Sequence, residues 1–560
     1  MTTALLSKEV PPAAQEPRPH AWCDLLLHWA DRWRRWLLSG LVLVYLLGLN
    51  GQWRIDPDSA LYLSIARNIA DGRGYTYHDK PNASAYPGLP YLLSILFRVT
   101  SGPDRDRQVL ILADLLMPAL ALGALAMTYR AVRLNSGRPT AVVVTCGLGL
   151  MRTFYRSAFA VMTDMPFLLG IMMFLAGYEG MAHRSAKGSR LHWLDALLMA
   201  GGLALAICMR AAWLAFVPVA VVVLAISAIR GRLNWKAAAA GVAVAGLLVA
   251  CFYAADPRQN AGTLKGDRYE DQVLNQFNPD QRASAPARWL ANGLDIFRET
   301  ATSAMVGIKF SPAPDAPGPR YWYDDLGTSV NIIGGAATLV LGIALVRRRA
   351  LWGLWIAATV VMMIVVLPHE RYFLEALPLL VLGWWNGLRW LNHRLPQPIG
   401  NLIFFSLAGM GFVPNFLQVH RLIVEQRTAP FLAHYHGGTY QQLAVAARRI
   451  EAANLPANCI ILAPEKTARI LSFYSHHNVI ESNEQGDDLR PGADWPPPHG
   501  RRVYVLADPA DRAFNDWLGS LGVRATISLG GPPGRLELRR VPRPQLVAHY
   551  QQINDRAAAQ

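Results

Sequence analysis

The chain is 560 residues long, only 17% of them charged and 52% hydrophobic, too long for one globular domain and too apolar for an ordinary soluble protein. Its net charge of +15 falls largely in short loops between apolar segments. That pattern suits contact with anionic lipid and does not call for nucleic-acid binding. The cysteines Cys23, Cys146, Cys208, Cys251 and Cys459 are scattered, and no pair suggests a disulfide or a metal clamp.

Residues 1–30, Pro-rich at the start, are expected to form a cytoplasmic leader. A bilayer crossing needs about 20 apolar residues. Eleven stretches approach that length: 36–53, 108–129, 139–157, 163–180, 194–209, 211–229, 236–255, 328–346, 350–367, 371–391 and 398–417. Only Arg210 separates the fifth from the sixth. Basic residues gather at alternate junctions, as in Arg32, Arg34 and Arg35, then Arg130, Arg133 and Arg138, then Arg347, Arg348 and Arg349. By the positive-inside rule these junctions face the cytoplasm, which sends the C-terminal region outside. The expected product is an α-helical polytopic protein of the plasma (inner) membrane, with about 11 transmembrane helices over 31–425. Its outer loops are 54–107 and 256–327.

The outer face then collects a distinctive set of residues. Loop 54–107 opens with Asp56-Pro57-Asp58-Ser59-Ala60-Leu61-Tyr62, two carboxylates at a membrane boundary. Carboxylates held at such a boundary usually do chemistry or bind cations. Asp58 is expected to cap a helix with Leu61, Ile65 and Ile69 on one face, stopped by Gly72 and Gly74. Tyr86-Pro87-Gly88-Leu89-Pro90 leads into an apolar run too short to span, which reads as an interfacial helix. Further along come Thr163-Asp164-Met165-Pro166-Phe167, Arg210, and Pro368-His369-Glu370-Arg371-Tyr372. Each alone is as well explained by helix capping or by lipid-facing basic side chains. Asp114 and Glu375 lie inside apparent spans, where an ionisable group normally faces a cavity or a partner.

In this order the residues resemble the glycosyltransferase C superfamily, specifically the polyprenyl-phosphate-sugar-dependent transferases related to protein O-mannosyltransferases and lipid A aminoarabinose transferases. The resemblance covers about 40–420 and rests on the ordered combination rather than on one motif. It implies that Asp58 takes the place of the catalytic carboxylate, with Ser59 standing where the family has Glu and Asp56 as a second candidate. It implies a second acidic position at Asp164, a phosphate-binding pair at Arg371-Tyr372, and a basic residue at Arg210 ending the fifth span. It also implies transfer of a hexosyl or pentosyl group with inversion.

The residue types suit that chemistry. A polyprenyl-phosphate sugar carries its own leaving group, and the chain has no Walker or dinucleotide fingerprint. Transfer needs a base for the acceptor proton and cations for the departing phosphate, roles open to Asp58 or Asp56 and to Arg371, Arg210 or His369. No cofactor is required by this scheme. Asp58 and Asp164 could instead share a divalent cation, Mg or Mn, through oxygen ligands. The partners are then a polyprenyl-phosphate-linked sugar, membrane lipids, and an acceptor glycan, lipid or protein.

From about 430 to 545 the pattern changes to short apolar runs at 459–463, 502–507, 525–529 and 535–539, alternating with helical stretches at 440–453, 465–475 and 512–521. This reads as a small extracytoplasmic α/β domain. His476-His477 has no further metal-ligand spacing. Two rival functions fit the composition: a transporter or flippase for the same lipid-linked sugar, and a non-catalytic membrane scaffold for the outer domain. The absence of a repeated half, and the gathering of charge at one face, favour the enzyme over the transporter.

Overall fold

The computed structural model describes residues 22–50, 57–77, 80–82, 85–187, 193–260, 285–296, 305, 333–341, 350–366, 370–428, 439–453, 455–456, 459–475, 478–485, 488–491, 502–507, 524–529 and 537–541. Asp56, His369, His476-His477, the stretch 512–521 and most of loop 256–327 lie outside these residues.

The membrane unit begins with helices α1 (Trp22–Arg32), α2 (Arg34–Leu47), α3 (Pro57–Ala70) and α4 (Gly88–Val99). It continues with α5 (Arg105–Ser136), α6 (Arg138–Gly149), α7 (Arg152–Ser157), α8 (Asp164–Ala186), α9 (Trp193–Met209), α10 (Trp213–Ile229) and α11 (Trp235–Ala255). Later helices span Ala350–Val365, Leu377–Arg394 and Gln397–Thr428. Among the described residues, four helices (α5, α8, α11 and the last of these) are long and apolar enough to cross a membrane, and several shorter apolar helices accompany them. The architecture is mostly helical and multi-pass.

Two expected spans are broken, and each break is satisfied by side chains. Residues 139–157 divide into α6 and α7; Tyr45 donates its hydroxyl to the Gly149 carbonyl at 2.9 Å, and Asn415 accepts from the Arg152 N–H at 2.8 Å. Irregular backbone inside a helical bundle persists only when such partners replace water. Residues 371–391 divide into a single turn, Glu370–Phe373, and the helix Leu377–Arg394, whose second residue is Pro378. Glu375 sits in that break.

Helices α8 and α9 pack so closely that only glycine fits. A Cβ on Gly202 would lie 2.5 Å from the Gly170 carbonyl oxygen, and one on Gly177 would lie 2.5 Å from the Asp195 carbonyl oxygen. Close approach through small residues is the usual basis of helix association where hydrophobic burial gives no drive. The pair is antiparallel, so the start of α8 (Asp164) meets the end of α9 and the following Arg210. At the opposite end the fully buried Asp195 is held by Arg130, and by Arg184 Nε at 2.9 Å. Arg130, a basic residue of the topology argument, therefore also neutralises a buried carboxylate.

In α4, Leu89, Leu93 and Phe97 are buried, while Tyr91, Ile95 and Val99 form an exposed apolar stripe. That one-sided pattern at four-residue spacing is what an interfacial helix presents to lipid.

The C-terminal residues build a six-stranded mixed sheet in the order β5-β4-β3-β6-β8-β7. The strands are β3 (Ile460–Pro464), β4 (Asn478–Gln485), β5 (Asp488–Pro491), β6 (Val503–Ala507), β7 (Arg524–Ser528) and β8 (Glu537–Val541); a two-stranded ribbon, β1 (Thr76–Tyr77) with β2 (Lys80–Pro81), lies in the loop after α3. Central β3 is parallel to both neighbours, and Ile460, Ile461, Leu462 and Ala463 are all buried, as expected of a strand covered on both faces. Helices Thr439–Ala452 and Glu465–Tyr474 accompany the sheet.

Candidate functional site

Four segments far apart in sequence converge at one end of the bundle: the first turn of α3, the first turn of α8, the break after α9, and the turn at 370–375. Asp58 lies inside the first turn of α3 and does not cap it. Pro57 takes the first helical position, where its fixed φ is suited and its missing N–H costs nothing. Leu61, Ile65 and Ile69 bury one face of α3 against Tyr75 and Ala85, which fixes the helix and the direction of Asp58.

Asp164, 2% exposed, begins α8 next to the N-cap position of Thr163. Arg210, in the turn between α9 and α10, contacts Asp164 through Nη1 and places the same atom 3.1 Å from Glu375 Oε1. Its guanidinium also lies over the Tyr372 ring, 4.7 Å from the centroid. Arg371 joins the two acidic loops: Nη1 is 3.8 Å from Asp58 Oδ2 and Nε is 3.6 Å from Asp164 Oδ1. Tyr62, one turn after Asp58, shares a hydrogen bond with the Thr163 side chain; burial pushes its hydroxyl above the usual tyrosine range, and the Asp58 charge adds to the effect.

All of Asp58, Asp164, Arg210, Arg371 and Tyr372 are thus brought together, and Glu375 joins them. The intramembrane position of Glu375 was a sequence signal; the break that turns it toward Arg210 was not. Asp114 is buried within α5. A further residue comes from the C-terminal domain. Arg469 Nη1 donates to Asp58 Oδ1 at 2.8 Å, across 411 positions of sequence.

Asp58 and Asp164 do not form an oxygen cage for a divalent cation in this arrangement. Arg371 approaches both carboxylates, Arg210 holds Asp164 and Arg469 holds Asp58, so guanidinium groups take the places a cation would need. Among the described residues, the grouping with metal-ligand proximity is Cys23, Asp24 and His393, elsewhere in the fold. There Arg389 Nη2 stands 3.4 Å from Asp24 and opposes a bound cation.

Chemically the site combines a partly exposed carboxylate, Asp58, with a bank of guanidinium groups anchored from below by buried acids. Such an array can accept a proton at one edge and hold a phosphate at the other.

No family model matches the chain, and no curated protein matches it in sequence. Its solved structural neighbours are informative. ArnT from Cupriavidus metallidurans in the apo state superimposes with a TM-score of 0.56 at 14% identity, over 92% of this chain and 99% of that one. The same protein bound to undecaprenyl phosphate gives 0.53 at 14% identity, over 91% and 98%. The archaeal oligosaccharyltransferase AglB from Archaeoglobus fulgidus, in complex with an inhibitory peptide and a dolichol-phosphate, gives 0.45 at 13% identity, over 80% and 64%. The chain therefore has the fold of ArnT, a lipid A aminoarabinose transferase of the glycosyltransferase C superfamily.

Proposed function

We propose that the chain is a membrane glycosyltransferase that moves a sugar from a polyprenyl-phosphate donor to an acceptor at the outer, periplasmic face. The observation that carries this is the convergence of Asp58 and Asp164 with Arg210 and Arg371 at one end of a bundle with the ArnT fold. The ArnT structure with undecaprenyl phosphate supplies the donor class.

In this scheme Asp58 accepts the proton of the acceptor nucleophile as that atom attacks the anomeric carbon. The bond from that carbon to the phosphate oxygen breaks, and polyprenyl phosphate leaves with the electron pair. Arg371, backed by Arg210, meets the charge that develops on the leaving phosphate; preorganised donors at such a position lower the barrier because they need no reorganisation during reaction. Direct displacement inverts the anomeric centre. Tyr372 belongs to the same phosphate side, with His369 kept as a sequence candidate for phosphate binding and Asp56 as the alternative base. Asp164 fixes the two arginines and does not itself move a proton.

The domain division follows: a leader over 1–30, a membrane unit of about eleven spans over 31–425, and a domain over 430–545 held outside the membrane, with the N-terminus in the cytoplasm. The test is an incubation of purified protein with a radiolabelled polyprenyl-phosphate sugar and extracted cell-envelope acceptors. Transfer produces free polyprenyl phosphate and a labelled product in equal amounts. Donor movement across vesicles without product would make the protein a transporter.

A further inference from the structure

We propose that Arg469, carried by the C-terminal domain, is a ligand of the donor phosphate that rests on Asp58 until the donor arrives, so that donor binding frees the base. This rests on the transferase function proposed above and adds to it a residue from a separate domain.

The placement of Arg469 is built, since its helix is fastened at two further points, one on α3 and one on β1. Arg67 donates to the Phe473 carbonyl at 2.9 Å and lies over the Phe473 ring, 4.6 Å from its centroid. The Tyr77 hydroxyl meets Ser472 Oγ at 3.0 Å. On the far side of the same helix, Ala468, Ile470, Leu471 and Phe473 are buried in the core. Arg469, in the turn before Phe473, therefore has a defined direction, toward the first turn of α3.

Charge explains why it is there. Among the described residues the site holds three carboxylates, Asp58, Asp164 and Glu375, against Arg210 and Arg371 from the membrane unit. Those two guanidinium groups are already engaged by the three carboxylates and leave little positive charge for a phosphate. Arg469 adds a third guanidinium to the site. An arriving phosphate is a stronger, multidentate acceptor than one carboxylate oxygen, and it draws a guanidinium toward itself. Asp58 Oδ1, occupied by Arg469 at 2.8 Å, then becomes available. That oxygen can take up a proton only once the guanidinium nitrogen has left it, so the transfer of Arg469 links donor occupancy to readiness of the base.

The experiment measures the affinity of the full-length protein for undecaprenyl phosphate, with backbone hydrogen exchange of the Glu465–Tyr474 helix followed alongside. Arg469→Gln is expected to weaken binding at least tenfold without loss of protection in that helix. Asp58→Asn, which releases Arg469, is expected to tighten binding about threefold or more, and the gain should vanish in the Asp58→Asn/Arg469→Gln double variant. Ser472→Ala, which loses the Tyr77 contact and a bond to the Arg469 carbonyl but leaves the guanidinium in place, should stay within twofold of the unmodified chain. An Arg469→Gln affinity within twofold, or a double variant that binds as tightly as Asp58→Asn alone, overturns the proposal. If Arg469→Gln does not fold, failure of Asp58→Asn to tighten binding overturns it equally. An unmodified chain that does not bind undecaprenyl phosphate refutes the transferase function, and this assignment with it, a result distinct from the others.

Discussion

Arg210 Nη1 lies 3.1 Å from Glu375 Oε1 while the same nitrogen contacts Asp164, so one guanidinium sits between two carboxylates that are 0% and 2% exposed. Buried acids of this kind are tolerated only with a paired cation, and removing the cation is more costly than removing the whole group of charges. Arg210 is thus first a structural keystone, and its effect on the donor passes through Asp164 and Tyr372.

Arg210→Gln is expected to cost about 3–5 kcal/mol of stability, because it removes the cation beside buried Glu375 and leaves Asp164 only the longer Arg371 contact. The companion change Glu375→Gln should restore part of that loss, and the two substitutions should be strongly non-additive. Thermal unfolding of the single and double variants in detergent measures the coupling. Additive losses would mean that Glu375 is neutral or paired elsewhere.

Arg371→Ala should behave differently. Its side chain is about one-third exposed and its carboxylate contacts are 3.6 and 3.8 Å long, so less folding energy depends on it. Donor affinity should fall by more than tenfold while the melting temperature changes little, since a neutral side chain cannot grip phosphate bidentately. Unchanged affinity would pass the phosphate to Arg210 or His369.

Gly88 answers for the Pro-Gly-x-Pro segment. A Cβ there would stand 2.7 Å from the Cys208 carbonyl oxygen, two residues before Arg210. Gly88→Ala is therefore expected to push the end of α9 away, cost about 1–3 kcal/mol through overpacking, and weaken donor binding by displacing Arg210. Gly40→Ala in α2 meets nothing within 4 Å; it should be neutral or slightly stabilising, by up to about 1 kcal/mol of helix propensity. Equal effects from the two would show that the Gly88 contact relaxes freely.

Much of this was legible in the sequence, for physical reasons that differ by residue. Asp58, Asp164, Arg210 and Arg371 each lie beside a long apolar run, where a charge is costly and so conspicuous. Glu375 was visible for the same reason, although the helix break that aims it at Arg210 depends on packing with Trp355, whose indole donates to the Glu375 carbonyl at 3.2 Å. Arg469 was not legible, since it is one arginine on an amphipathic helix and its partner is 411 positions away. Strand β5 was also missed, and β4 was legible only as a strand start at His476-His477. Asn478–Gln485 and Asp488–Pro491 have little apolar alternation, because β4 has a single buried neighbour on one side and β5 forms the edge. The fit of α8 to α9 rests on glycines, which hydropathy counts as weakly apolar and propensity counts as breakers.

The last prediction concerns the base. Asp58→Asn keeps the size of the side chain and its place in the first turn of α3, but the neutral amide no longer holds the Arg469 guanidinium as the carboxylate does, and it cannot take a proton. Loss of a general base costs about 10²–10⁴ in rate, so turnover should collapse while the protein still folds and still binds donor. Asp164→Asn should also lower activity, yet by another route. It leaves Arg210 and Arg371 without their shared buried partner, so stability and donor affinity should fall together with the rate. Asp56→Asn separates the remaining alternative. If it abolishes transfer while Asp58→Asn is fully active, the base is Asp56; if both retain full turnover, proton transfer to a carboxylate of this loop is not part of the reaction. Single-turnover rates at saturating donor, measured on all three variants beside their melting temperatures, distinguish these outcomes, because loss of the base lowers the rate without lowering stability, whereas Asp164→Asn lowers both.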